Sequence, residues 1–519
     1  MTTMATPSVH SGCSFLANKY LISFCVFVCL NILSSLDKGF ALSTHQTDVQ
    51  LSSLLPASTC SPSTRGHDKK KATLKVVHRH GPCSKMSQPN QYKTTTPTHT
   101  QILQQDQARV TSIHSRMGDN LRQTDASIPA KSGSVVGSGN YIVTVGLGSP
   151  AKQLSLIFDT GSDLTWTQCQ PCVRSCYKQK EPIFDPSLSK SYTNISCNSP
   201  FCSQLISATG NVQHSHMKFL VFISGRGSSE DFQINGWIST RPYCRNGTST
   251  CVYDIQYRDK SFSVGFFAKE RLTLTSTDYF DGFLFGCGQN NQGLFGGSGG
   301  LLGLGPNKIS LVEQSAKKYG RFFSYCLPST SCATGYLSFG KGGGPSKAVK
   351  FMPLSIVSGR GYLGGSFYGL DVIGINVGGR RVSIPALVFS SSGTIIDTGT
   401  MITRLPATAY NALRDAFKRG MKSYPQAEAL SILDTCYDLS GSSKVSYPKI
   451  AFAFSGGLTL DLDATGIFYV ASASQVCLAF AGNSDDSDIA IFGNVQQKRL
   501  QVVYDVAGGK IGFAPAGCP

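Results

Sequence analysis

A chain of 519 residues exceeds what one ordinary hydrophobic core organises and suits two domains plus appendages. Its 54 glycines, set among Val, Ile, Phe, Thr and Tyr, point to short strands and tight turns. The formal charge of +17 invites a nucleic-acid partner, but its longest basic run, Lys69-Lys70-Lys71, is short and carries no interleaved aromatics, which argues against one.

The first element in the chain is an uncharged apolar run, Tyr20 to Leu33, preceded by Lys19. It is short for a bilayer span and has the length of a signal-peptide core, with cleavage expected near Ala41. Residues 1–41 are therefore read as a signal peptide and the product as secreted to the apoplast. A transit peptide is the alternative, because residues 1–36 lack acids and are rich in Ser and Thr; vacuole and chloroplast stay open as destinations. No second apolar run follows, so a soluble product is expected.

Residues 42–137 are rich in Ser, Thr, Gln, Lys and His, and residues 1–134 hold 14 Lys/Arg against 6 Asp/Glu. Leu74 to His80 alternates like a strand. Ile102 to Leu121 carries Ile102, Leu103, Val110, Ile113 and Met117 at roughly helical spacing. This basic segment reads as a propeptide acting as an intramolecular inhibitor, with a disordered linker as the alternative. His78 and His80 could bind metal but are expected to be solvated.

From Asn140 the texture changes. Strands are predicted at Tyr141–Ser149, Leu154–Phe158, Tyr336–Phe339, Val372–Val377, Ile450–Phe454 and Gln501–Asp505, and helices only at Ser310–Tyr319 and Ala407–Met421. The class is mainly β. A Gly-rich break at 340–344 divides a first lobe, 138–343, from a second, 344–519. Seven cysteines crowd residues 169–251; within the cysteine-rich Cys169–Cys202 stretch, Cys169-x-x-Cys172 and Cys172-x-x-x-Cys176 could hold zinc by spacing. Every histidine lies before residue 217, however, and sequons at Asn194 and Asn246 suit an extracellular, glycosylated loop, so disulfides are preferred. Thirteen cysteines follow residue 90, an odd number that leaves one thiol over.

Both lobes contain one phrase: Ile157-Phe158-Asp159-Thr160-Gly161-Ser162 and Ile395-Ile396-Asp397-Thr398-Gly399-Thr400. In each, apolar residues bring a buried strand to a turn, the carboxylate sits at its end, and Gly lets the backbone double back. One such triplet is turn material; two with matching flanks imply a duplicated site. Each has a downstream echo, Leu301-Leu302-Gly303 and Ile491-Phe492-Gly493, suited to a strand threading behind the acidic loop. Two carboxylates brought together share a proton, so one can act as general base on water and the other as general acid, with no metal and no cofactor. The Gly296–Gly300 run fits a nucleophile elbow formally, but no histidine follows it to serve as base.

On these residues the chain from Asn140 to Pro519 resembles the pepsin-type aspartic peptidases, in their plant nepenthesin-like branch. The resemblance implies an all-β, bilobal fold with the cleft between two β lobes, a monomer, and an endopeptidase active at acidic pH on proteins and peptides. It assigns Asp159 and Asp397 as catalytic, and Thr160 and Thr398 as braces between the two loops. Trp166 matches the tryptophan behind the flap, and Tyr257 matches the flap tyrosine. Three departures stand out: Arg258 and Lys260 where Gly is usual, an apparent insert at 212–243, and Cys332 outside the branch's cysteine pattern, hence the expected odd thiol. Some relatives described as chloroplast nucleoid DNA-binding proteases share the Leu74–Cys83 stretch. Others of this fold bind and inhibit glycoside hydrolases after losing a dyad loop; both loops are intact here, which favours the enzyme.

Overall fold

The computed structural model describes residues 46–56, 59–61, 72–85, 97–117, 141–205, 243–244, 249–256, 261–293, 295–329, 333–341, 348–358 and 366–518. The N-terminal apolar run, Tyr257, Arg258, Lys260, Asn246, Cys332 and the 212–243 insert, apart from Tyr243, lie outside them.

Strand dominates the chain as expected, and the elements that position the site are few. In the N-terminal segment they are β1 (Thr73–His78) and α1 (His99–Met117). The first lobe contributes β2 (Tyr141–Leu147), β3 (Lys152–Asp159), β4 (Trp166–Gln168), β5 (Phe262–Thr275), β6 (Asp278–Gln292), β7 (Gly300–Gly303), β8 (Phe322–Cys326) and β9 (Thr334–Phe339). The second contributes β10 (Thr394–Ile396), β11 (Thr403–Leu405), α2 (Ala407–Gly420), β12 (Ala490–Phe492), β13 (Gln501–Asp505) and β14 (Lys510–Ala514).

The alternation of β5 is what an amphipathic strand needs: Ala268, Glu270, Leu272 and Leu274 are buried at every second position while β6 pairs antiparallel with it. Helix α2 buries Ala409, Tyr410, Leu413 and Phe417, a 3–4 spacing that lays one face on the core. The predicted helix at Ser310–Tyr319 forms as two short turns, Leu311–Gln314 and Ala316–Tyr319, hinged at Ser315, whose ψ of 4° leaves the helical range. At its start the Ser310 hydroxyl accepts from Glu313 N–H, and at its end Gly320 takes a left-handed φ of 68°.

The last two strands do not stay with the second lobe. β13 pairs antiparallel with β8 of the first lobe and with β14, so one sheet joins the two halves of the chain. The Cys326–Cys518 disulfide pins the C-terminus to the same strand. Five further disulfides are described, Cys60–Cys83, Cys169–Cys287, Cys172–Cys176, Cys202–Cys251 and Cys436–Cys477.

The N-terminal segment is woven into this frame. β1 lies antiparallel between β9 and β2, and a second strand, Gln46–Gln50, pairs with Lys444–Pro448. The expectation that His78 and His80 are solvated therefore fails. Because β1 is an interior strand of the sheet, His78 packs edge-on against Tyr141, and burial pushes its pKa down to about 3 and that of His80 down to about 2.

Candidate active site

Two loops of matching build carry the two aspartates. Asp159 ends β3, which runs parallel to β7, and β7 in turn lies antiparallel to β4. Asp397 follows β10, which runs parallel to β12, and β12 lies antiparallel to β11. The Leu301-Leu302-Gly303 and Ile491-Phe492-Gly493 echoes are these threading strands. Behind each loop a backbone bond ties the segment after the threading strand to it: Leu304 N–H donates to Asp159 O at 2.9 Å and Asn494 N–H to Thr400 O at 2.7 Å.

The glycines closing the threading strands are there for space. A Cβ at Gly303 would meet the Asp163 carbonyl oxygen at 2.2 Å, and one at Gly493 would meet Met401 O at 2.6 Å. Both obstacles are backbone and cannot rotate away. Gly303→Ala is expected to destabilise the protein by about 3 kcal/mol or more and to abolish activity. Thermal unfolding checks this, with Gly441→Ala, which meets nothing within 4 Å, as the neutral control.

The loops grip each other through their threonines. Thr160 N–H donates to Thr398 Oγ1 and Thr398 N–H donates to Thr160 Oγ1, both at 3.0 Å. Gly161 N–H donates to Asp159 Oδ1 at 3.0 Å and Gly399 N–H to Asp397 Oδ1 at 2.9 Å. The Thr400 hydroxyl donates to Asp397 Oδ2 at 2.6 Å. In the first loop the corresponding Ser162 is half-buried, and its carbonyl accepts from Gly305 N–H at 2.8 Å. Trp166 is wholly buried, edge-on to Phe295, in the core behind the first loop. Asn194 is exposed on a short strand. Tyr257 and Asn246 fall outside the described residues.

The principal partner of both aspartates comes from α1, and the sequence reading had not singled it out. Arg109 donates from Nε to Asp397 Oδ2 at 2.8 Å, and from Nη2 to Asp159 Oδ1 at 2.8 Å and to Asp397 Oδ1 at 2.9 Å. One guanidinium thus spans the pair, only 11% exposed. Burial pushes the Asp397 carboxyl up, but the charge and hydrogen bonds of Arg109, with Thr400 and Gly399, more than offset this and hold it below its ordinary value. Burial dominates at Asp159 and, with the charge of Asp397, raises its pKa despite Arg109. With Arg109 in place the two coupled carboxyls are thereby split.

One turn before Arg109, Asp106 enters the second loop. Its carboxylate accepts from Met401 N–H at 2.5 Å and Ile402 N–H at 3.1 Å, and pairs with Arg404 Nη2 at 3.0 Å. The signal that could have found both residues is the helical register. Asp106 and Arg109 sit on the stripe of Leu103, Val110 and Ile113, so charges lie where α1 is buried. The helix opens with a capping box, Thr98 and Gln101 exchanging hydrogen bonds at 2.8 and 3.2 Å.

Among the described residues no group of three or more His, Cys, Asp or Glu side chains is placed to hold a metal.

Comparison with known proteins gives consistent matches. Two family profiles, described as xylanase inhibitor N-terminal and xylanase inhibitor C-terminal, match residues 141–341 and 367–515. An aspartyl protease family protein of Arabidopsis thaliana is 52% identical over 96% of this chain and 99% of its own length. The aspartyl protease AED1 of Arabidopsis thaliana is 47% identical over 93% of this chain and 94% of its own. Aspartic proteinase nepenthesin-2 of Nepenthes gracilis is 34% identical over 77% and 83%. Among solved structures, edgp aligns with a TM-score of 0.54 at 19% identity, covering 72% of this chain and 91% of its own. Basic 7S globulin from soybean aligns at 0.52 and 21%, with the same coverage. At that identity the structural likeness speaks to the fold alone.

Proposed function

This chain belongs to the aspartyl protease family, in its nepenthesin-like branch, and from that premise we propose that it is an acid-active endopeptidase made as a zymogen. It is an aspartic-type hydrolase acting on proteins. The carboxyls of Asp159 and Asp397 share a proton, as aspartic proteases in general are known to do. The ionised member takes a proton from a bound water, which attacks the scissile carbonyl. The protonated member stabilises the oxyanion, and the pair returns a proton to the leaving nitrogen.

The observation that carries the zymogen reading is Arg109. Its guanidinium sits on carboxylate oxygens of both aspartates and occupies the ground where water and substrate would have to stand. Residues 42–137 are on this reading a propeptide, stapled by Cys60–Cys83 and anchored by β1 and α1. Acid opens the clamp. Asp397 is held below its ordinary pKa, so its contribution to the clamp is present above the carboxylate range and is lost as pH falls through that depressed value.

The described disulfides and the exposed sequon at Asn194 support passage through the secretory route and glycosylation there. The family profiles carry the name of xylanase inhibitors, but both Asp-Thr-Gly loops are intact and meet, which supports peptidase over inhibitor.

Hydrolysis of a denatured protein from pH 3 to 7, by the full-length chain with and without a transition-state-analogue inhibitor of aspartic peptidases, tests this. Latency near pH 7, cleavage in acid and complete inhibition are expected. Equal activity of the unprocessed chain at pH 3 and pH 7 would remove the zymogen reading. Cleavage insensitive to the inhibitor would remove the dyad.

A further inference from the structure

Arg404 is a fully buried cation facing the N-terminal segment. It is 1% exposed and Asp106 is not exposed at all. Arg404 stands on β11, where its Nη1 donates to Ile402 O at 2.9 Å, so the guanidinium is held by its own strand and not only by its partner. Nη2 meets Asp106 at 3.0 Å and Gln107 Oε1 at 3.3 Å, while Nε is buried with no hydrogen-bond partner among the described residues. The Met401 and Ile402 N–H groups converge on the same carboxylate. The guanidinium and the two backbone donors that bind Asp106 here belong to residues 401–404 and stay when α1 departs. Among the described residues Asp106 is the one carboxylate within ion-pair distance of Arg404.

We propose that Arg404, Met401 N–H and Ile402 N–H form a carboxylate-binding subsite that selects an aspartate or glutamate side chain on the substrate. This rests on the reading that α1 leaves the cleft on activation. Asp106 is then a stand-in for the substrate acid. Two fixed N–H donors and a guanidinium make a cradle built for an anion, and hydrogen bonds to an ionised carboxylate are stronger than those to a neutral amide. Asp106 and Arg109 are three residues apart on one helical face, with Cβ atoms about 5–6 Å apart. An extended substrate rises about 3.3 Å per residue, and the Arg side chain adds its own reach toward the dyad. The acidic residue therefore falls within about four residues of the scissile bond.

The test uses the full-length chain after acid activation, at pH 5, where an exposed Asp is ionised because its ordinary pKa is about 3.9. Internally quenched peptides of one core sequence carry Asp, Asn or Lys at each of four positions on either side of the bond. At one position Asp is expected to exceed Asn by about tenfold or more in kcat/KM. In Arg404→Gln that ratio should fall to about one, and in Arg404→Glu the preference should pass to Lys, a reversal that loosened packing does not produce. Should Arg404→Gln fail to fold, Arg404→Lys keeps the charge and should keep part of the preference. Asp and Asn cleaved equally at every position in the wild type, or a ratio that survives in Arg404→Gln, would overturn the subsite. If no peptide is cleaved, the peptidase reading fails separately. Fluorescence anisotropy of the same Asp and Asn peptides then decides the cradle: tighter binding of Asp supports it and equal binding overturns it.

Discussion

Arg109→Gln is expected to make the unprocessed chain active near pH 6, raising cleavage of a quenched peptide by about a hundredfold or more over the wild type. Truncating one partner of a buried ion pair costs about 3–5 kcal/mol, and each 1.4 kcal/mol is about a factor of ten. Here the partner is shared: Arg109 meets Asp397 through two nitrogens and Asp159 through one, so its loss frees both carboxyls at once. Gln cannot replace the fork or the charge. Lys keeps the charge without the bidentate geometry and should retain part of the latency. The pH profile separates this from a general loosening. In the wild type, latency should persist above the carboxylate range and vanish as pH falls through the depressed Asp397 value. In Arg109→Gln that acid step should be absent. Gel analysis of the same samples shows whether the chain is still full length. Identical latency in both proteins at pH 6 would remove the clamp from the account of activation.

The dyad was legible in the sequence because the fold repeats it. Two Asp-Thr-Gly phrases, each with an apolar pair and Gly downstream, are what two loops with one threading strand apiece require, and the pairing of β7 with β3 and of β12 with β10 follows that order. Strand positions such as Val372–Val377 and Ile450–Phe454 could be read because their apolar runs are bounded by turn residues. What escaped is long-range. Nothing local says that His78 lies in a sheet interior, since that depends on β9 and β2 closing round it. The Gly-rich break at 340–344 marks a candidate junction but says nothing of which strands cross it. The return of β13 to β8, across 174 intervening positions of chain, is a pairing that periodicity does not encode. Arg109 was hidden for a related reason. The basic bias of residues 42–137 marks the segment as a propeptide, but choosing one cation needs the register of α1 against the two loops. Its clue was a conflict: charged residues on a buried helical stripe mark a face that docks on polar partners.

Asp159→Asn and Asp397→Asn should each lower kcat/KM by about 10³-fold or more, and the double variant should lose little beyond either single one, because general acid and general base act as one unit. Before activation the two substitutions part company. Asp397 accepts from Nε and Nη2 of Arg109 and from the Thr400 hydroxyl, whereas Asp159 takes one Arg109 contact and the Gly161 N–H. Asp397→Asn therefore alters the carboxylate that takes more of the guanidinium's contacts, and it also removes the carboxyl whose depressed pKa makes release acid-dependent. Its N-terminal segment should be released or become protease-sensitive at neutral pH well before that of Asp159→Asn, although neither protein can cut itself. Limited proteolysis of the two inactive variants by an added protease at pH 7, followed at α1, reads this directly. Faster loss of α1 in Asp397→Asn ties latency to the guanidinium's grip on the second loop. Equal rates would place the hold elsewhere, in β1 or in the Asp106–Arg404 pair, and would leave Arg109 as a plug on the dyad and not its fastening.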